Sequence, residues 1–109
     1  MEKTLAIEEA AQGFAAIGSE ARLQVLLTLV RAGEPGLTVG EIQERTAMPP
    51  STLAHHLRFL TSAGLIDQKK HGRTVCNRAV YARLEVLAGY ILRQCCADQA
   101  EPRNDKGAA

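Results

Sequence analysis

Residues 38–79 constrain the fold more than any other stretch, because the hydrophobic period changes once within them, from helical to alternating. Thr38 followed three residues later by Glu41 is a capping box opening a short helix, "VGEIQERT", in which Val39 and Ile42 face inward. After "AMPP" comes "STLAHHLRFLTSAG", where Leu53, Leu57 and Leu60 recur at i, i+4 and i+7 and Pro50 suits a first helical turn. Gly64 ends this helix as a C′ glycine does. Two helices across a tight turn, the second with one apolar stripe and a polar opposite face, make a helix-turn-helix pattern. The period then shortens. "LIDQKK" and "RTVCNR" read as two strands around a His71–Gly72 turn, and a helix-turn-helix followed at once by a basic hairpin is a winged helix.

The flanking segments complete the architecture. Leu5 to Ile17 carries Ile7, Ala10, Ala11, Phe14 and Ile17 at helical spacing, and Gly18 closes it. Ser19 is a good N-cap for "EARLQVLLTLVRA", which is apolar on most sides and so predicts the central core helix. Gly33, Pro35 and Gly36 then break the chain. After the hairpin, "AVYARLEVLAGYILRQCC" sets Val80, Leu84, Leu87 and Ile91 on one face, with Tyr81, Ala88 and Leu92 beside it. That face is broader than a 109-residue domain with four aromatic residues and no Trp needs for its own aliphatic core. The expected fold class is therefore mainly α with a small β-hairpin, in the order α-α-α-α-β-β-α, homodimeric through the first and last helices. Residues 1–97 form the winged helix-turn-helix domain, and residues 98–109 a polar tail expected to be disordered.

Charge is distributed unevenly behind a net value of +1. Residues 1–44 carry three bases against seven acids, whereas residues 45–83 carry seven bases against Asp67 alone. A block this basic is the footprint of a polyanion-binding surface. With Leu53, Leu57 and Leu60 inward, Ser51, Thr52, His55 and Arg58 lie on the opposite or flanking side, where such side chains bond base edges or phosphates. Lys69, Lys70 and Arg73, with His71 at the tip, suit phosphate contact. A symmetric dimer then fits double-stranded operator DNA with an inverted repeat. His56, beside the buried stripe, reads as a hydrogen-bonded structural residue. Cys76, sharing a strand face with Thr74, reads as a small packed hydrophobe.

Several classes drop out. No run reaches the roughly 18 apolar residues of a membrane span, and the N-terminal residues lack a signal-peptide core, which predicts a cytoplasmic protein. Three cysteines in that compartment make no disulfide framework. There is no Cys-x-x-Cys, acid–base constellation or cofactor motif, so neither an enzyme nor a required cofactor is expected.

The stretch from "AIGSEARLQVLL" to "HGRTVCNRA" resembles the ArsR/SmtB family of bacterial winged-helix repressors, over about residues 13 to 97. The likeness rests on "GSEARL", "STLAHHLRFL" and "AGLI" in that order and spacing. It implies a homodimer that reads operator DNA with its fourth helix in the major groove, lays the hairpin tips on flanking backbone or minor groove, and lets go when an inducer binds. Pro50 and Ala54 stand where family members often carry Gln or Ser, which removes polar groups from the reading surface.

Family members sense metals, metalloids or thiol chemistry. One sensor type uses His and carboxylates along the last helix, but residues 79–98 hold no His and only Glu85 and Asp98, too few for a four-ligand zinc site. Another uses Cys-x-Cys in the third helix, where this chain has Thr38-Val39-Gly40. Cys95 and Cys96 remain, ending the last helix where thiols are accessible. "YILRQCCAD" resembles arsenite-responsive members with a Cys-Cys pair here, although their later third cysteine is absent. Trivalent arsenic or antimony prefers three thiolates, so two leave a position for hydroxide, a small thiol or a partner cysteine; methylarsenite fills it with carbon. On a helix, side chains at i and i+1 diverge by about a third of a circle, so joint chelation requires the last turn to bend. Three readings stay open: a metalloid inducer such as As(III), methylarsenite or Sb(III); thiol-redox or persulfide sensing at the same pair; and inert tail cysteines.

Overall fold

The structure is a computed structural model that describes residues 5–99. Its elements are α1 (Ile7–Ile17), α2 (Glu20–Ala32), α3 (Val39–Thr46), α4 (Pro50–Ser62), β1 (Ile66–His71), β2 (Thr74–Ala79) and α5 (Tyr81–Leu92). This is the order the sequence predicts. Of the proposed tail, Asp98 sits in an exposed turn, and residues 100–109 lie outside the described residues.

Local chemistry sets the helix ends. Ser19 Oγ accepts from the Arg22 N–H at 3.2 Å, and Thr38 and Glu41 complete their reciprocal box at 2.9 and 3.1 Å. At the end of α4, Gly64 has φ +78, its N–H reaches Thr61 O and the Leu65 N–H reaches Leu60 O, both at 3.0 Å. This is a Schellman motif, sealed by the fully buried Leu65. It turns the chain straight from α4 into the wing.

The core is aliphatic and centred on α2, which packs against α1, α3, α4 and β2. Val25 and Leu29 from α2, Ile42 from α3, and Leu53 and Leu60 from α4 are completely inaccessible. Two inward faces differ from expectation. In α1 the buried residues are Ala10, Gly13 and Ala16, while Ile7 and Phe14 are 68% and 37% exposed. The cause is close helix packing: a Cβ at Gly13 would stand 2.9 Å from Leu87 Cδ2 of α5. Small residues therefore face inward and large ones outward. In α3, Ile42 alone is buried and Val39 is exposed. At the far end of α5, Ile91 and Leu92 are 62% and 73% exposed, so α1 and α5 together carry an apolar surplus. Among the described residues no single helix is long and apolar enough to cross a membrane.

The hairpin is antiparallel from Ile66↔Ala79 to His71↔Thr74. Its two-residue turn is Gly72–Arg73, one residue later than the sequence reading. Gly72 has φ +63, which suits the first position of a type II′ turn. Burial of Ile66 and Ala79 fixes this register. His71 consequently closes β1 and Arg73 takes the tip. In β2, Thr74 is exposed and Cys76 half-buried, opposite Lys69. A further bridge joins Leu37, between α2 and α3, to Asn77.

Replacing Leu29 by Ala is expected to cost about 2–5 kcal/mol. Urea denaturation would show it as a lower midpoint at an unchanged slope.

Candidate nucleic-acid interface and thiol pair

With Leu53, Leu57 and Leu60 turned inward, α4 presents Ser51, Thr52, Ala54, His55 and Arg58 as an exposed face. Pro50 occupies the first turn, which has no side-chain cap. Lys69, Lys70, His71 and Arg73 are all exposed along the wing. Each proposed DNA-contacting residue is thus at the surface, on two adjoining elements. Arg78, counted in the basic block, is already engaged within the fold. Its guanidinium bonds Asp67 at 3.2 and 3.3 Å and lies 3.8 Å from Glu34. The Asp67 hydrogen bond, with the charges of Asp67 and Glu34, holds its pKa above the ordinary value.

Sequence reading missed a second feature of α4. Phe59 is 45% exposed, with the Arg22 guanidinium 4.4 Å from its ring centroid and the His55 ring edge-on at 5.0 Å. Arg22 also donates from Nε to Ala16 O at 2.7 Å and from its terminal nitrogen to Ala15 O at 3.4 Å. It therefore caps the last carbonyls of α1 while lying on α4. The signals were the i, i+4 spacing of His55 and Phe59 and an Arg at the capping-box position of α2.

His56 departs from the hydrogen-bonded role expected of it. Its Nδ1 is buried with no hydrogen-bond partner. Burial, then the charges of Arg22 and His55, hold its pKa below the ordinary 6.5. The unfolded chain thus binds this proton more tightly than the folded one. Stability is full above about pH 6.5, falls as the pH drops beneath it, and levels off once the folded form is protonated too. Acidification from about pH 7.5 to 5 should lower Tm more in the wild type than in His56→Gln.

The thiols lie beyond the helix they were expected to end. α5 stops at Leu92, and the backbone continues in tight turns, with Gln94 N–H to Ile91 O at 3.1 Å and Cys95 N–H to Leu92 O at 3.0 Å. Cys96 adopts φ +60, a left-handed conformation uncommon outside Gly, Asn and Asp. Cys95 and Cys96 are both exposed, and their Sγ atoms stand 3.5 Å apart. The helical divergence that would have kept them apart is absent. The hydrogen bond shared with Cys95, then the negative charge of a Cys95 thiolate, push the Cys96 thiol pKa up. Among the described residues no group of three or more His, Cys, Asp or Glu is placed to hold a metal ion, so none of them joins the pair as a third ligand.

A helix-turn-helix with an exposed polar reading face, an adjoining cationic hairpin and an aliphatic core defines a winged helix-turn-helix regulator of transcription. Comparison with known proteins agrees. The helix-turn-helix domain family matches residues 17–69. The transcriptional activator HlyU of Vibrio cholerae is 36% identical over 76 residues, covering 66% of this chain and 68% of that one. Its solved structure superposes with a TM-score of 0.63 at 30% identity, over 85% of this chain and 96% of HlyU; a form described as reduced gives 0.59 at 26%, over 79% and 90%. An ArsR-like transcriptional regulator from Rhodococcus sp. RHA1 gives 0.70 at 29% identity, over 80% and 79%. The homodimeric winged helix-turn-helix DNA-binding domain of a possible ArsR-family regulator from Mycobacterium bovis gives 0.63 at 26%, over 91% and 90%. The chain belongs to the helix-turn-helix transcriptional regulators, and the solved structures it resembles include ArsR-like and ArsR-family winged helix-turn-helix regulators.

Changing Lys69, Lys70 and Arg73 to Ala should flatten the dependence of duplex affinity on salt by about 0.9 in log–log slope for each phosphate left unneutralised. Arg78→Ala should lower that slope less than loss of the three exposed cations, because its charge is already matched within the fold. Fluorescence anisotropy across a salt series measures both.

Proposed function

We propose that this protein is a homodimeric repressor that binds an inverted-repeat operator and is released by a trivalent thiophilic inducer at Cys95 and Cys96. Dimerisation through α1 and α5 is supported by the exposed Ile7, Phe14, Ile91 and Leu92 and by the homodimeric relative. DNA reading falls to Ser51, Thr52, His55 and Arg58 on α4, and phosphate contact to Lys69, Lys70, His71 and Arg73.

The observation that carries the inducer reading is the exposed sulfur pair at 3.5 Å. Two thiolates on one atom, with bonds of about 2.3 Å, stand roughly 3.3–3.8 Å apart. An As(III) or Sb(III) hydroxide reacts with two thiols without any change of oxidation state. Two bonds from the metalloid to oxygen break, two to sulfur form, and each thiol proton leaves with a hydroxide as water. Because the inducer brings its own proton acceptors, a raised Cys96 pKa is no obstacle. With two chain thiols, methylarsenite is fully satisfied, and inorganic arsenite keeps one hydroxide or takes a small or partner thiol. Binding fixes the segment after α5, beside the dimer surface, and release follows if the two DNA-affinity states hold the inducer unequally.

A second reading, oxidation or persulfidation of the same pair, draws on the reduced form described for HlyU. It depends on a thiolate nucleophile and on an oxidant or persulfide donor supplied from outside the protein. The regulatory sign belongs to the proposal as well, since HlyU is named an activator.

Titrating a protein–operator complex with arsenite, methylarsenite, antimonite and peroxide separates these readings. Metalloids should release the wild type, and the Cys95→Ser/Cys96→Ser protein should bind DNA normally and stay bound. A double variant that still responds would place the sensor elsewhere. Release by peroxide alone would favour the redox reading.

A further inference from the structure

The wing is a two-stranded ribbon, and such a ribbon is marginal on its own in water. Its anchorage converges on one residue of β2. Asn77 is completely buried. Its backbone N–H donates to Leu37 O at 2.7 Å and its carbonyl accepts from the Leu37 N–H at 2.9 Å. Its side-chain Nδ2 donates to the same Leu37 O at 3.3 Å, and its Oδ1 accepts from Gln68 Nε2 at 3.0 Å. Gly36 allows this approach: it has φ +73, and a Cβ there would fall 2.4 Å from Asn77 O. The α2–α3 loop thus becomes a third strand, one bridge long. The next residue along, Arg78, reaches Glu34 of the same loop.

The position of this knot matters. Leu37 immediately precedes Thr38, the N-cap of α3, so Asn77 ties the base of the wing to the start of the helix-turn-helix. Gln68, its partner across the ribbon, immediately precedes Lys69 and Lys70. The end of β1 stands about 10 Å beyond Gln68, at roughly 3.4 Å per residue. A modest tilt at the base therefore carries the wing cations several ångströms, more than a hydrogen bond to phosphate tolerates. Being buried, Asn77 itself touches no DNA.

We propose that Asn77 is a positioning residue for DNA binding, setting where Lys69, Lys70 and Arg73 stand relative to α4. This rests on the reading in which those cations meet phosphate. The test uses a labelled mixed-sequence duplex, since non-specific binding reports phosphate contacts directly. Salt titrations by anisotropy compare wild type, a Lys69→Ala/Lys70→Ala/Arg73→Ala wing variant, Asn77→Ser and Gln68→Met. The last two are repeated in the wing-variant background, and thermal melts follow folding. Gln68 is exposed, so Gln68→Met keeps the fold and carries the test where Asn77→Ser does not. The expected result is a salt slope reduced toward that of the wing variant, by about 0.9 for each phosphate left unneutralised, and no further reduction when the wing cations are already gone. A wild-type slope in both, or the same fold-weakening with and without the wing cations, overturns the proposal and leaves Asn77 a structural residue. A wing variant with an unchanged slope overturns it differently, by removing the wing–phosphate reading beneath it.

Discussion

The burial of one helix governs the rest of the molecule. Val25 and Leu29 of α2 are sealed from solvent where α1, α3, α4 and β2 converge. A core this small, with no Trp and few aromatics, gains its stability from aliphatic surface removed from water. The reading helix and the root of the wing are therefore placed by the same few leucines and valines. A change in the buried face of α2 is therefore felt in both α4 and the wing.

The outer helices obey a different rule. α1 approaches α5 where Gly13 meets Leu87, and Ile7 and Phe14 of α1 and Ile91 and Leu92 of α5 are left exposed. Surface of this kind is unusual for a monomer and ordinary at a subunit interface. Electrostatics are sorted in a comparable way. Arg78 is matched to Asp67 and Glu34, while the remaining wing cations stay exposed.

Much of this was legible from the residues, for identifiable reasons. Capping boxes, the C′ glycine and the Leu53-Leu57-Leu60 stripe are local signals, and local hydrogen bonding realises them. What misled was non-local. Periodicity found the apolar positions of α1, but only packing against Leu87 decides that Gly13 faces inward and Phe14 outward. The hairpin turn moved one residue because Ile66 and Ala79, both buried, fix the register. No glycine or proline marks the end of α5, so the thiols were placed on a helix that stops before them. The Asp67–Arg78 pair, the Arg22–Phe59 contact and the unpartnered His56 Nδ1 depend on chain segments meeting in space, which single-sequence patterns do not encode. The residues proposed to face DNA are exposed because the period that buries the leucines of α4 turns them outward.

The position of Cys95 and Cys96, past the last helical residue and exposed, has an evolutionary consequence. Surface substitutions away from packed features usually change stability by no more than about 0.5 kcal/mol. Substitutions in this short segment therefore cost the fold little, while those in the core and at the helix caps cost it much more. The side chains of this segment can change within a few codons while the fold that carries α4 and the wing is left intact.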